Sequence, residues 1–130
     1  MRATSPKAEK WSTQRDSPAG SGVQPLGMLR MIAMLSSLAE LPAELVFCFA
    51  TGNTARLRGI NAGLVEPGRA ADFVFLDRAQ HTAGRNLLES LSLGDLPGVG
   101  MVMIDGIVRC GPSRNTPPAA EVPVVVVGGH

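Results

Sequence analysis

Apolar residues in the first half of the chain follow a helical pattern. From Leu26 to about Leu38 they cover most of the circumference of a helix rather than a single stripe. A second helix is predicted to begin at Leu41-Pro42 and to run through Phe49, again with apolar residues nearly all round. Helices of this kind are expected to be covered on more than one side.

The stretch from 51 to 77 has the densest local signals. Thr51 is predicted to cap a short helix that ends near Arg58, with Gly59 as the left-handed residue after it. Pro67-Gly68 predicts a turn. The four consecutive apolar residues Phe73–Leu76 then indicate a strand covered on both faces.

The second half of the chain predicts a further helix and a β-hairpin. The helix spans about Gly84 to Leu93, and Val99–Ile104 forms a strand. Asp105-Gly106 is a strong two-residue hairpin signal, so Ile107–Cys110 is expected to return antiparallel. The uncharged segment Val122–Val127 is expected either to add an edge strand or to promote aggregation.

Composition limits the classes of function. The 130 residues make one domain at most, and 12 basic against 11 acidic residues give a net charge of +1. This balance gives no reason to expect nucleic acid or an anionic membrane as a partner, and no apolar run is long enough to cross a membrane. Cys48 and Cys110 have neither zinc-finger nor redox spacing, so a reduced, cytoplasmic setting is expected. His81 and His130 are expected to be solvated surface residues.

A Pro- and Gly-rich loop near the N-terminus carries the residues with the clearest chemical interest. Asp16 precedes Ser-Pro, a context in which aspartate is usually a turn residue. Gly20, Ser21 and Gly22 could cradle an anionic group with their backbone amides ahead of a helix, although a simple loop is the plainer alternative.

Four segments, in this order, resemble the C-terminal part of the metal-dependent hydrolases of the amidohydrolase superfamily, in particular enamidase and related cyclic amidohydrolases. They are DSPAGSGVQPLGMLR (16–30), FATGNTARLRGINAGLVEPGRAADFVFLD (49–77), GDLPGV with MIDG (94–106) and SRNTPP (113–118). The resemblance implies an α/β fold: the end of a (β/α)8 barrel with its terminal helices, then strands and a hairpin of a small C-terminal β-sandwich domain. It divides the chain into a divergent N-terminus (1–15), the barrel end (16–58), the β-domain portion with one helix (59–118) and a tail (119–130).

The resemblance also implies roles for individual residues. Asp16 corresponds to the family's aspartate that ligates a divalent metal, zinc or iron, and accepts a proton, with Gly20, Ser21 and Gly22 in the loop beside the substrate. Asp72, Gly68 and Gly106 correspond to structural positions, and Asp72 is expected to bond backbone amides of the corner Glu66–Arg69. The family's HxH pair, bridging lysine carboxylate and two later histidines have no counterpart here.

These implications lead to three hypotheses. The first is a hydrolase of non-peptide carbon–nitrogen bonds, acting on a small cyclic amide or enamide, of which this chain alone binds no metal and is inactive. The second is a non-catalytic fragment or interaction module that docks onto a partner carrying the barrel. The third is a product without function. A homo-oligomer or the missing part of the barrel is the expected protein partner.

Overall fold

The computed structural model describes residues 26–128. In chain order the elements are helix α1 (Gly27–Ser37), helix α2 (Ala43–Cys48), a π-helical segment (Phe49–Asn53), helix α3 (Thr54–Arg58), strand β1 (Phe73–Asp77), helix α4 (Leu87–Ser92), strand β2 (Gly98–Ile104) and strand β3 (Ile107–Cys110). The described part of the chain is therefore an α/β structure. None of its helices is both long and apolar enough to cross a membrane.

The helical core joins α1, α2 and α4. Its buried residues are Ile32, Ala33, Ala43, Val46 and Leu91. Leu91 lies on α4, where Leu87 and Leu88 also pack against this core. On α1, Met34 is 46% exposed and Leu38, just beyond the helix, is 80% exposed. Within the described chain α1 is thus covered on one side, although its apolar pattern predicted that it would be covered on more than one side.

The second helical run is continuous from α2 through the π-helical segment into α3. The prediction that Thr51 caps a separate helix is wrong, because its Oγ1 donates a 2.7 Å hydrogen bond to the carbonyl of Phe47 one turn earlier. A threonine inside a helix commonly bonds backward in this way. The predicted end of the helix is confirmed, since Gly59 adopts the left-handed conformation with φ 65°.

Helix α4 begins later than predicted. Asn86 is extended, and its side-chain oxygen accepts a 2.9 Å hydrogen bond from the Glu89 amide, so the helix begins at Leu87 rather than at Gly84. Gly84 instead packs against the helix, where an added Cβ would lie 2.6 Å from the Ser90 nitrogen.

The three strands form one antiparallel sheet in the order β1-β2-β3. The hairpin prediction is confirmed: Asp105 and Gly106 connect β2 to β3 with φ angles of 53° and 73°, the positive pair that a type I′ turn requires. The prediction that β1 is covered on both faces is wrong for the described chain, because Val74 is 58% exposed and Phe75 38% exposed. Within residues 26–128, strand β1 lies at an edge of the sheet and pairs only with β2.

The C-terminal segment crosses back over the sheet before it ends. Ala119 pairs with Ala79 in an isolated bridge, and the Glu121 amide donates to the Asp77 carboxylate at 2.8 Å. Residues 122–128 form no strand. Val122–Val127 was expected either to add an edge strand or to promote aggregation. In the described chain it adds no edge strand.

Candidate functional site

The residues predicted to carry chemistry lie outside the part of the chain that the structure describes. Asp16, Gly20, Ser21 and Gly22 all precede residue 26. Leu26 is the first described residue after this loop, and it adopts a positive φ of 59° immediately before α1. It lines an open cavity of about 510 Å³.

That cavity lies against one side of the sheet. Its walls include Val74 and Val102, which pair across β1 and β2, and the segment from Cys110 to Thr116. Cys110 is an exposed free cysteine, and Arg114 contributes a guanidinium. The wall is otherwise largely apolar, so the described part of this cavity offers a surface for packing rather than an assembled set of acid and base groups.

Asp72 connects the beginning of β1 to the hairpin turn. Its Oδ1 accepts a 2.9 Å hydrogen bond from the Asp105 amide, and the Gly106 amide donates to the Ala71 carbonyl at 2.9 Å. Asp72 was expected to bond amides of the corner Glu66–Arg69. This expectation is wrong, because its hydrogen-bond donor is the amide of Asp105. The partner lies at the tip of a hairpin far along the sequence, which only the folded sheet brings near.

The corner itself is held by a different group of side chains. Gly68 has φ 85°, and its carbonyl accepts a 3.3 Å hydrogen bond from Asn61 Nδ2. Arg69 donates from Nη1 to Asn61 Oδ1 at 2.9 Å, and from Nε and Nη2 to Glu66 Oε2 at 3.4 Å each. This network was not predicted from the sequence, although the spacing of three residues between Glu66 and Arg69 is a usable signal for an ion pair.

Several polar side chains attach the later loops to the sheet and to α4. The Thr116 hydroxyl accepts from the Val99 amide at 3.0 Å and is buried. Thr82 donates to the Asp95 carboxylate at 2.6 Å and accepts from the Gly84 amide. These side chains were also not singled out from the sequence, because each bonds a partner that the linear pattern does not mark.

The titratable groups of the described chain do not form a metal centre. Between residues 26 and 128, no three His, Cys, Asp or Glu side chains lie close enough together to hold a metal ion. His81 is exposed, as predicted, and Cys48 is buried. His130 lies outside the described residues. The described donor set therefore does not fit the divalent metal that the family resemblance implies.

The ion pair between Arg85 and Glu89 shifts the pKa of both groups. A side-chain hydrogen bond from Arg85, with a second bond from the Arg85 amide, lowers the pKa of Glu89 below its ordinary value. The same side-chain bond raises the pKa of Arg85. Both groups lie at the surface beside the first turn of α4, where the pair supports the helix start.

Comparison with known proteins identifies a family match over most of the chain. The model of the amidohydrolase family matches residues 14–108. Enamidase from Eubacterium barkeri is 38% identical over 104 residues, which cover 80% of this chain and 27% of the enamidase. A 5'-deoxyadenosine deaminase from Methanothermobacter thermautotrophicus is 48% identical over 54 residues, 40% of this chain and 13% of that protein.

A solved structure shares the fold. The crystal structure of enamidase, described as a new member of the amidohydrolase superfamily, superposes with a TM-score of 0.84 and 34% sequence identity. The match covers 89% of this chain and 30% of the enamidase chain. This chain thus spans less than a third of the length of the enamidase that it matches.

Proposed function

Because the chain belongs to the amidohydrolase family, we propose that it forms the C-terminal part of a metal-dependent hydrolase of non-peptide carbon–nitrogen bonds. Its proposed substrate is a small cyclic amide or enamide. A fold alone does not determine a reaction, so the proposal depends on the sequence match as much as on the architecture. The free thiols of Cys48 and Cys110 favour a reducing, cytoplasmic compartment.

The observation that carries the proposal is the structural similarity to enamidase, which extends over 89% of the chain at 34% sequence identity. In the proposed arrangement α1, α2 and α3 are the terminal helices of a (β/α)8 barrel, and the sheet β1-β2-β3 belongs to a small β-domain. The family match begins at residue 14 and includes Asp16 and the loop Gly20–Gly22. Asp16 is therefore the proposed catalytic residue of this chain.

The metal must be held mainly by other parts of the intact enzyme. The described residues lack a cluster of donors, and a zinc site needs three or four ligands. A single carboxylate from Asp16 can complete such a site but cannot form one. Asp16 is thus proposed to act as one metal ligand and as the proton acceptor of a site that other parts of the enzyme complete, and no metal-dependent step is assigned to residues 26–128.

A second candidate function is that of an interaction module that docks onto a partner carrying the barrel. The observation that favours it is the exposure of apolar residues on both outer strands of the sheet, including Val74, Phe75, Ile107 and Val108. Edge strands with exposed apolar side chains are typical sites for pairing with another chain. This function requires the partner but not catalysis.

Co-expression distinguishes the hydrolase from the interaction module. The chain is produced alone and together with the part of the Eubacterium barkeri enamidase that it does not match, and hydrolysis of a cyclic enamide is measured with Zn²⁺ or Fe²⁺ supplied. We expect no activity from the chain alone and activity from the purified pair. A pair that assembles without turnover would favour the interaction module, and failure to assemble would contradict both.

Matched variants then test Asp16 within the active pair. Asp16→Asn keeps the size of the side chain but removes the base, so the rate constant should fall by roughly 10²- to 10⁴-fold. Asp72→Asn is the control, because its carboxylate bonds the Asp105 amide in the sheet, and it should leave the rate near wild type. An unchanged rate in Asp16→Asn would show that this aspartate only shapes its turn.

A further inference from the structure

Helix α3 and the segment 60–69 that follows it enclose a solvent-open pocket with a volume of about 590 Å³. Ligand pockets for small molecules usually measure about 300–1,000 Å³. One part of the wall is apolar and includes Ile60, Leu64 and Val65. The pocket therefore has a suitable size and surface for the apolar body of a small ligand.

Close backbone packing gives the pocket a fixed floor. Gly52 lies in the π-helical segment, and an added Cβ there would be 2.9 Å from Leu64 Cδ2. Gly63 has φ 79°, and an added Cβ would be 2.7 Å from the Thr51 carbonyl oxygen. The segment 60–69 is thus held directly against the helix, and π-helical turns occur frequently at functional sites.

Arg69 gives the pocket a guanidinium that can bind an anion. It lines the pocket together with the charged side chains of Arg56 and Glu66. Arg69 is already oriented, since three of its N–H groups bond Glu66 and Asn61. Arginine has five N–H donors, so two remain for a further acceptor, and a guanidinium held in place loses little entropy on binding.

We propose that this pocket binds a small amphipathic monocarboxylate. The carboxylate bonds the Arg69 guanidinium, and the apolar body lies against Ile60, Leu64 and Val65. A planar carboxylate matches the geometry of a guanidinium. This proposal does not depend on the proposed hydrolase activity.

Titration of the full 130-residue chain with hexanoate, followed by two-dimensional NMR, tests the proposal. We expect saturable shifts confined to the backbone amides of residues 52–69, with a Kd in the millimolar range that a ligand of this size allows. Hexanamide has the same body without the charge and should bind at least about tenfold more weakly. Equal binding of the two, or saturable shifts elsewhere in the chain, would overturn the proposal.

Three variants locate the anion site. Arg69→Gln should weaken hexanoate binding by about tenfold or more. Because Arg69 also holds the corner, Val65→Glu provides a second test, since this exposed residue lines the pocket and the new carboxylate should repel the ligand. Arg58→Gln is the control, an exposed arginine of α3 that changes net charge as Arg69→Gln does. An equal loss in Arg58→Gln and Arg69→Gln would show a non-specific charge effect and contradict the assigned site.

Discussion

The carboxylate of Asp72 accepts a 2.9 Å hydrogen bond from the amide of Asp105, 33 residues further along the chain. Beside it, the carbonyl of Ala71 accepts from the amide of Gly106. The residues that lead into β1 therefore bond both central amides of the β2–β3 turn. Because β1 also pairs with β2, these bonds join β1 to the hairpin tip and help to set the register of β1 against β2.

The first prediction concerns this bond. Asp72→Ala removes the acceptor and should lower the free energy of unfolding by about 1 kcal/mol, the usual contribution of one hydrogen bond. Asp72→Asn keeps an acceptor oxygen in the same place and should lose less. Urea denaturation of both variants measures the difference. Equal losses would show that the negative charge, rather than the acceptor, stabilises the turn.

The second prediction concerns the contact between β2 and the C-terminal segment. An added Cβ at Gly98 would lie 2.4 Å from the Ala119 nitrogen and 2.5 Å from its Cα, and backbone atoms cannot move aside cheaply. Gly98→Ala should therefore destabilise the chain by about 1–3 kcal/mol. Thermal unfolding of the variant and the wild type measures this loss of stability.

Gly111→Ala is the matched control for Gly98→Ala. Among residues 26–128, no atom outside its two chain neighbours lies within 4 Å of the position of an added Cβ, so the melting temperature of the variant should stay near wild type. If Gly98→Ala unfolds like the control, the segment around Ala119 does not pack over β2 in solution.

Local chemistry explains which elements could be predicted from the sequence. The Asp105-Gly106 turn and the end of α3 at Gly59 both depend on residues that accept a positive φ, and this preference needs no distant partner. Thr51 shows the limit of this argument. Its hydroxyl can cap a helix or bond a carbonyl one turn earlier, and the choice depends on whether the preceding residues are already helical.

The candidate sites depend on contacts that cannot be predicted from the spacing of residues along the sequence. The sequence indicated that Asp72 would accept from a backbone amide, but the donor, Asp105, becomes a neighbour only through sheet pairing. The same holds for the exposure of Val74, which depends on what packs over the sheet rather than on the apolar run around it. The pocket beside α3 combines a helix, a corner and an ion pair, and no single motif marks it.

The third prediction concerns pH. The pKa of Glu89 is lowered in the folded chain by hydrogen bonds from the Arg85 side chain and amide. A lowered pKa means that the folded state favours the charged form, so the contribution to stability is present above the unfolded pKa of roughly 4.3 and is lost as pH falls through the folded pKa.

Glu89→Gln should therefore lower the melting temperature near neutral pH, and its difference from wild type should shrink as the solution is acidified below about pH 4. Arg85→Gln keeps the bond from the backbone amide and should show a smaller effect of the same sign. Melting curves between neutral pH and pH 3 measure both. A difference that stays constant over this range would show that the ion pair does not contribute to the pH dependence.

The fourth prediction concerns the tail. The valines between Val122 and Val127 are 45–86% exposed, and the segment carries no charge. Uncharged segments of high β-propensity with an unpaired backbone tend to associate with copies of themselves, so the chain should form β-rich aggregates at high concentration.

Val125→Lys places a charge within this segment and should slow aggregation, followed by light scattering and thioflavin T fluorescence, without changing the melting temperature. Leu38→Lys is the control, because Leu38 is also highly exposed but lies after α1 rather than in a strand-forming segment. If both changes slow aggregation equally, overall surface hydrophobicity is the cause. If only Val125→Lys does, self-association proceeds through strand pairing of the tail, because only there does a lysine interrupt a run of β-branched side chains.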